Sequence, residues 1–428
     1  MPRSFHRWSA RDKDAARERV QGAKLTQDNS TPRRWIVLDA GLFDDKGHHR
    51  GAAEALVREL RRRSLPVTVY CHRAARLGLL QEIDPIPWFR SFVYAATSAD
   101  PLHGEYQDYV AGNRSFAEDL AALPAAPFEA GDTLLFPTIH HHHLHAIVHW
   151  ASTLPVDRHP KIVAVLMFPP DWAPAIRPFS NPAAYYAAAW RSRPPQMGPR
   201  LHLGTETLAL SKAYAEVLGF RPVVLPRIAA GVENASMQSK AAEREPSQQA
   251  PLIAYLGHGR PERGFHLLPE IVTLAQRSAP PHRFFVQCCY DGQPDFQAAE
   301  RMLAAHAHVR IHAGTMEQAD YHHALASADF MLLPYHPGRY KTRGSGVFFE
   351  ASIAGIPPIV PADTWMAREV EENGTGVTFA EFEARSIVGA LRGALERRVE
   401  LARRAQSRVR ELRREHGAAS FIDRIERL

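Results

Sequence analysis

RWIVLDAGLFDDKGHHRGAAEALVRELRRR, residues 34–63, sets the plan of the chain. Its apolar run, RWIVLDA, ends at Gly41. A polar loop, FDDKGHHR, follows, and GAAEALVRELRRR then repeats its apolar residues at helical spacing. Strand, loop and helix in that order begin a parallel βαβ unit, because a parallel strand reaches its neighbour only through a crossover. A second strand, PVTVYC, comes after Leu65. It is followed by GDTLLFPT with a helix from about Leu144, by KIVAVLMF, and by HLGTETLALSKAYAEVLG running into PVVLP. This alternation predicts a parallel sheet covered by helices on both faces.

Between Asn234 and Ala250 the apolar periodicity disappears and Ser, Gln, Lys and Pro gather, as in a linker. The alternation then restarts with LIAYLG, HLLPEIVTLAQRS, HRFFVQCCY, AAERMLAAH, VRIHAG, YHHALASA, DFMLLPY, VFFEASIAG and IPPIVP. A chain of 428 residues also exceeds one ordinary core. The fold class expected is α/β: an extension at 1–29, a Rossmann-like doubly wound domain at 30–234, a second at 251–400, and C-terminal helices at 401–428. Ligands of such sheets lie beyond the carboxyl ends of the strands, so function belongs to the loops there, facing a central cleft between the domains.

Composition narrows the class of protein. Hydrophobic residues are 45% and charged residues 23%, ordinary for a globular protein, which excludes disorder. The N-terminal residues MPRSFHRWSARDKDAARERV lack the apolar core of a secretory signal, and no apolar run approaches the roughly 18 residues of a membrane span. The expectation is a cytoplasmic protein, with Cys71, Cys288 and Cys289 as reduced thiols. A net charge of +6 and a pI near 9.3 favour anionic partners. Much of that charge lies in residues 391–416, where arginines and glutamates interleave at helical spacing, as on a solvated helix; peripheral association with the inner membrane surface is the alternative use. No basic-aromatic interleaving accompanies it, so no nucleic-acid partner is expected.

The densest chemistry lies in residues 321–376, YHHALASADFMLLPYHPGRYKTRGSGVFFEASIAGIPPIVPADTWMAREVEENGTG. Gly344-Ser345-Gly346 closes a loop and opens a helix at Val347, so unpaired N–H groups and the positive helix end suit a diphosphate. Glu350, one turn on, is placed to accept hydrogen bonds from a ribose diol. Taken alone, this is also an ordinary turn and cap.

The whole pattern resembles the donor domain of retaining glycosyltransferases of the GT-B fold, glycosyltransferase family 4. ALASADFMLLPY, SGVFFEASIAGIPPIV and GTGVTF carry the likeness. So does AYLGHGRPERGFHLLPEI, which is similar to the family's strand, glycine (Gly257) and basic diphosphate-binding loop, with Arg263 at the lysine position and Arg260 before it. The likeness is specific over residues 252–379 and looser before them. It implies a hexosyltransferase acting with retention, a nucleotide-diphosphate sugar as donor substrate, and no cofactor or protein-bound metal. It leaves the acceptor open among carbohydrate, lipid-linked and small molecules. It further implies Gly47 as the glycine of the first loop, Tyr335 and Tyr340 as walls of the donor pocket, and Gly314 and Thr315 as backbone contacts to the base. In related enzymes the last helix returns to the N-terminal domain, and Phe421, Ile422, Ile425 and Leu428 form a fitting stripe. One departure stands out. The family's first glutamate would fall at Thr342, and the chain has no acid there, which leaves the sugar's identity open.

The run IHHHHLHAIVHW, residues 139–150, follows GDTLLFPT. In a helix His141, His145 and His149 share a face that suits zinc or nickel, but no acid or cysteine accompanies them in the sequence. The resemblance instead implies a histidine near the sugar, so His140 and His141 are the catalytic candidates of this half, beside Arg263 and Glu350. His48 and His49 are lesser candidates in the first loop. Two other readings fit the same loops: a nucleotide-sugar epimerase, which needs acid/base groups in the cleft, and a binding or scaffold protein without activity.

Overall fold

The computed structural model describes residues 33–44, 48–175, 177, 180–197, 200–229, 250–290 and 292–428. The expected linker and Gly47 lie outside them. The chain divides into two compact units, Met1–Leu225 with Ile425–Leu428, and Pro226–Arg424.

The first unit is built on seven strands: β1 (Trp35–Asp39), β2 (Val67–His72), β3 (Ile86–Phe89), β4 (Thr133–Ile139), β5 (Lys161–Leu166), β6 (Leu201–Thr205) and β7 (Val223–Val224). They pair in the order β3-β2-β1-β4-β5-β6-β7, and every pairing is parallel. Strand β3, IPWF, is missed by a reading that looks for apolar runs, because it is four residues long and contains a proline. The helix expected from Leu144 starts earlier, at His141, because His140 caps it by accepting a hydrogen bond from the His142 N–H.

The second unit holds β8 (Leu252–Tyr255), β9 (Arg283–Cys288), β10 (Val309–Ala313), β11 (Phe330–Leu332), β12 (Pro358–Pro361) and β13 (Val377–Phe379). Their order is β10-β9-β8-β11-β12-β13, again wholly parallel. Both units are therefore doubly wound: consecutive strands run outward from β1 or β8 to one edge, and the chain then crosses back to build the other half beside the same strand.

The central strands of each sheet are buried on both faces, which is why they read as continuous apolar runs. Ile36, Leu134, Leu135, Ile162 and Val163 line the first core, and Ile253, Phe284, Val286, Phe330 and Ile359 the second. Each such side chain contributes on the order of 1.5–3 kcal/mol by leaving water. Several helices begin at side-chain caps: Asn181 ahead of Pro182–Arg191, Thr207 ahead of Leu208–Leu218, and Thr364 ahead of Trp365–Asn373. At the C-terminus Phe421, Ile422 and Ile425 are buried, and Lys161 Nζ donates to the Ile425 carbonyl at 2.9 Å. Among the described residues, no helix is long and apolar enough to cross a membrane.

Candidate functional site

In the second unit β8 is flanked by β9 and β11, so the strand order reverses there and the loops after β8 and β11 lie side by side. The loop after β8 carries Gly257 at φ +99°, and a Cβ on it would stand 3.0 Å from Arg263 Nη1 and 3.5 Å from Val347 Cγ2. The glycine thus leaves room for the guanidinium beside the start of a helix. Gly264 is also left-handed, at φ +68°, and a Cβ there would meet the Pro334 carbonyl oxygen at 2.1 Å. Only glycine lets the two loops approach this closely.

Arg263 is thereby fixed. Its Nε donates to Tyr340 Oη at 3.1 Å and its Nη1 to the His258 carbonyl at 3.4 Å, while its guanidinium carbon lies 5.8 Å from the Tyr335 ring centre. Tyr335 and Tyr340 are both buried, their rings 4.2 Å apart. The family-like loop therefore forms a wall of two tyrosines against one arginine.

The helix Gly346–Ile353 opens beside it. Ser345 Oγ accepts from Phe348 N at 3.2 Å, which satisfies one N–H and leaves others at the helix start. A Cβ on Gly346 would come within 3.1 Å of Arg227 Nη2, so a second guanidinium stands at this positive helix end. Glu350, one turn along, accepts from Tyr321 Oη at 2.5 Å. Burial pushes the Glu350 carboxyl above its ordinary pKa, against the Tyr321 hydrogen bond and the fields of Arg227 and Arg263, which pull it down.

Gln287, on β9, ties this loop to the next: its Oε1 accepts from Gly257 N at 2.8 Å and its Nε2 donates to the Gly314 carbonyl at 3.2 Å. Thr315 follows, its Oγ1 3.5 Å from the half-buried Cys289 Sγ. Gly257, Arg263, Gly314, Thr315, Tyr335, Ser345, Gly346, Val347 and Glu350 thus occupy adjoining loops at one end of one sheet. Arg260 is apart from this group. Its side chain is 47% exposed and, among the described residues, pairs with Glu262 at 3.9 Å, and Glu262 also faces Arg343 at 3.7 Å. Thr342 is half-buried between Lys341 and Arg343.

Sequence reasoning missed Arg227, Tyr321 and Gln287. Gln287 carried a signal, a polar side chain in the otherwise apolar RFFVQC strand. Arg227 and Tyr321 carried none, since each reaches the site from a distant part of the sequence.

In the first unit the reversal falls at β1 and β4. His49 Nδ1 lies 2.9 Å from Asp39 Oδ1 and its Nε2 2.8 Å from Tyr94 Oη; a Cβ on Gly41 would strike the imidazole at 2.2 Å. His48 stacks on His49 with ring centres 4.2 Å apart. His140 and His141 are wholly buried. Burial, reinforced by the other histidines of the run, holds His140 well below its ordinary pKa, and its Nε2 lies 2.5 Å from the Val93 carbonyl oxygen. His141 Nε2 lies 2.5 Å from Glu105 Oε1, and burial depresses its pKa to about 4. The helical set His141, His145 and His149 is not the one drawn together. Among the described residues it is His140, His141 and His142 whose ring nitrogens approach within 4.8 Å of one another, while His149 is exposed.

No family model matches the chain, and no curated protein matches it. Solved structures do. Sucrose-phosphate synthase from Thermosynechococcus elongatus superposes with a TM-score of 0.64 at 13% identity, over 92% of this chain and 98% of that one. WaaG, a glycosyltransferase involved in lipopolysaccharide biosynthesis, gives 0.57 at 18%, over 91% and 99%. Anabaena HepE in complex with UDP-glucose gives 0.55 at 14%, over 92% and 98%. The fold is that of these proteins, the GT-B fold of two parallel α/β units.

Proposed function

We propose that the chain is a nucleotide-sugar-dependent glycosyltransferase whose second unit holds the donor. The observation that carries this reading is the grouping of Arg263, Arg227 and the Gly346 helix start around one end of the second sheet, with the Glu350 carboxylate one turn further on. Two guanidinium groups and a helix end suit a diphosphate, and a carboxylate beside them suits the vicinal hydroxyls of a ribose. HepE, which has the same fold, is known with UDP-glucose bound.

On this reading, breakage of the glycosyl–phosphate bond leaves negative charge on the departing diphosphate. Arg263 and Arg227 face that charge from fixed positions, with no reorganisation at the moment of reaction. The transfer then needs no divalent ion, because arginines and helix end supply the countercharge. Glu350 holds the nucleoside and so sets the direction of the leaving group. The family likeness adds a hexosyl group, retention of anomeric configuration, and a carbohydrate, lipid-linked or small-molecule acceptor.

The test is acceptor-independent turnover. The full chain is incubated with UDP-glucose, ADP-glucose or GDP-mannose and no added divalent metal, and released nucleoside diphosphate is measured beside the melting temperature. One of the three should raise the melting temperature and be hydrolysed slowly. A donor at about a hundred times its dissociation constant adds about 2.7 kcal/mol. If none of them shifts the melt or is cleaved, the reading is wrong.

A further inference from the structure

The four consecutive histidines remain without a part in the donor chemistry. They open the helix His141–Ser152, which packs against the helix Gly104–Ala121. From that second helix Glu105 reaches across, buried to 4% exposure. His141 Nε2 lies 2.5 Å and His142 Nε2 3.1 Å from the same oxygen, Glu105 Oε1. A ring nitrogen of His140 lies within 4.8 Å of those of the other two. Two imidazoles therefore meet one carboxylate oxygen and a third stands beside them, all closed to solvent.

We infer that Glu105, His141 and His142, with His140 as the fourth ligand, form a closed binding site for a zinc ion that staples these two helices of the first unit. Nitrogen and carboxylate oxygen bond zinc at about 2.0–2.2 Å, and tetrahedral angles then put neighbouring ligand atoms about 3.3 Å apart. The His142 to Glu105 distance already matches this edge. The ion takes the place of the hydrogens that the two imidazoles otherwise donate to Oε1. The His140 nitrogen closes toward it, giving up one of that ring's two backbone contacts, the His142 N–H or the Val93 carbonyl.

The scaffold is prepared for this. Asn113 donates from Nδ2 to the His141 carbonyl at 3.1 Å and accepts at Oδ1 from Ala146 N at 2.9 Å, so it fixes the backbone of the ligand-bearing turn. Gly112 permits the close approach, since a Cβ there would lie 3.0 Å from His142 Cβ. With the backbone held in this way, binding requires the His141–Glu105 pair to open from 2.5 Å toward the tetrahedral edge and the His140 ring to turn in. The sequence reading set a metal aside because no acid accompanies the histidine run. The fold supplies that acid from 36 residues upstream of His141. The ion has no part in glycosyl transfer and stands independently of that reading.

The experiment uses the full chain, purified without a polyhistidine tag, with zinc measured by inductively coupled plasma mass spectrometry. About one zinc per chain is expected after reconstitution and desalting, with a melting temperature several degrees above that of the chelated protein. Cobalt(II) added to the chelated chain should give the visible bands of a tetrahedral site. His142→Ala and Glu105→Gln should lose those bands and most of the zinc, and His149→Ala, exposed on the same helix, should keep both. If the first two variants do not fold, zinc-edge X-ray absorption of the unaltered chain decides: imidazole scattering supports the site, and its absence overturns it. A chain that takes up no stoichiometric zinc, and melts alike with and without it, overturns the inference outright.

Discussion

At the scale of single residues, the proposed donor site turns on Glu350. Its half-buried side chain accepts from Tyr321 Oη, and partial removal from water raises the carboxyl's pKa. A carboxyl with a raised folded-state pKa favours the fold when protonated, so that contribution is present at low pH and fades as pH climbs through the raised value. Binding runs the other way, because only the carboxylate accepts from both ribose hydroxyls. Nucleotide affinity should therefore fall as the solution is made mildly acidic, and Glu350→Gln should be weaker at neutral pH and flat over the same range. Loss of one charged hydrogen bond is worth about 1.5–3 kcal/mol. A titration of UDP and ADP affinity against pH checks this, and an acid limb that persists in Glu350→Gln would assign it to another group. Glu396→Gln, on an exposed residue at the end of the helix Ala384–Glu396 of the same unit, is the control.

At the scale of elements, the site depends on two loops that touch. Gly264 takes φ +68° with the Pro334 carbonyl in the space a side chain would need, and Arg263 precedes it. Gly264→Ala should cost at least about 1–3 kcal/mol through strain at that angle and should displace the guanidinium as well. The two effects are separable. Chemical denaturation reads the first and nucleotide binding the second, and affinity should fall by more than the fraction unfolded explains. A variant with unchanged stability and unchanged affinity would show that the loops do not need this contact. The histidine turn makes a similar point about elements. Its helix starts at His141 because a histidine side chain performs the capping that serine or aspartate usually does, so the usual cap signals place the start three residues late.

At the scale of the whole molecule, much of the architecture was legible. Parallel sheets buried on both faces produce uninterrupted apolar runs, and crossover helices give amphipathic stretches between them, so the alternation could be read directly. Strand β3 escaped because four residues with a proline leave too little pattern. The site was legible where chemistry is local in sequence: Ser345, Gly346 and Glu350 share one cap and one helix turn. It was hidden where the fold joins distant segments, as when Arg227 reaches Gly346, Tyr321 reaches Glu350, or Glu105 meets His141 and His142. The central claim is that the second unit holds a nucleoside diphosphate through Arg263 and its neighbours. It is tested most directly by titration calorimetry of UDP, ADP and GDP into the unaltered chain and into Arg263→Ala, with Glu396→Gln as control. One nucleotide should bind one site per chain in the unaltered protein and the control, and bind roughly tenfold or more weakly in Arg263→Ala at an unchanged fold, about 1.4 kcal/mol per factor of ten. Equal affinity in Arg263→Ala, or no binding of any of the three to the unaltered chain, would contradict it.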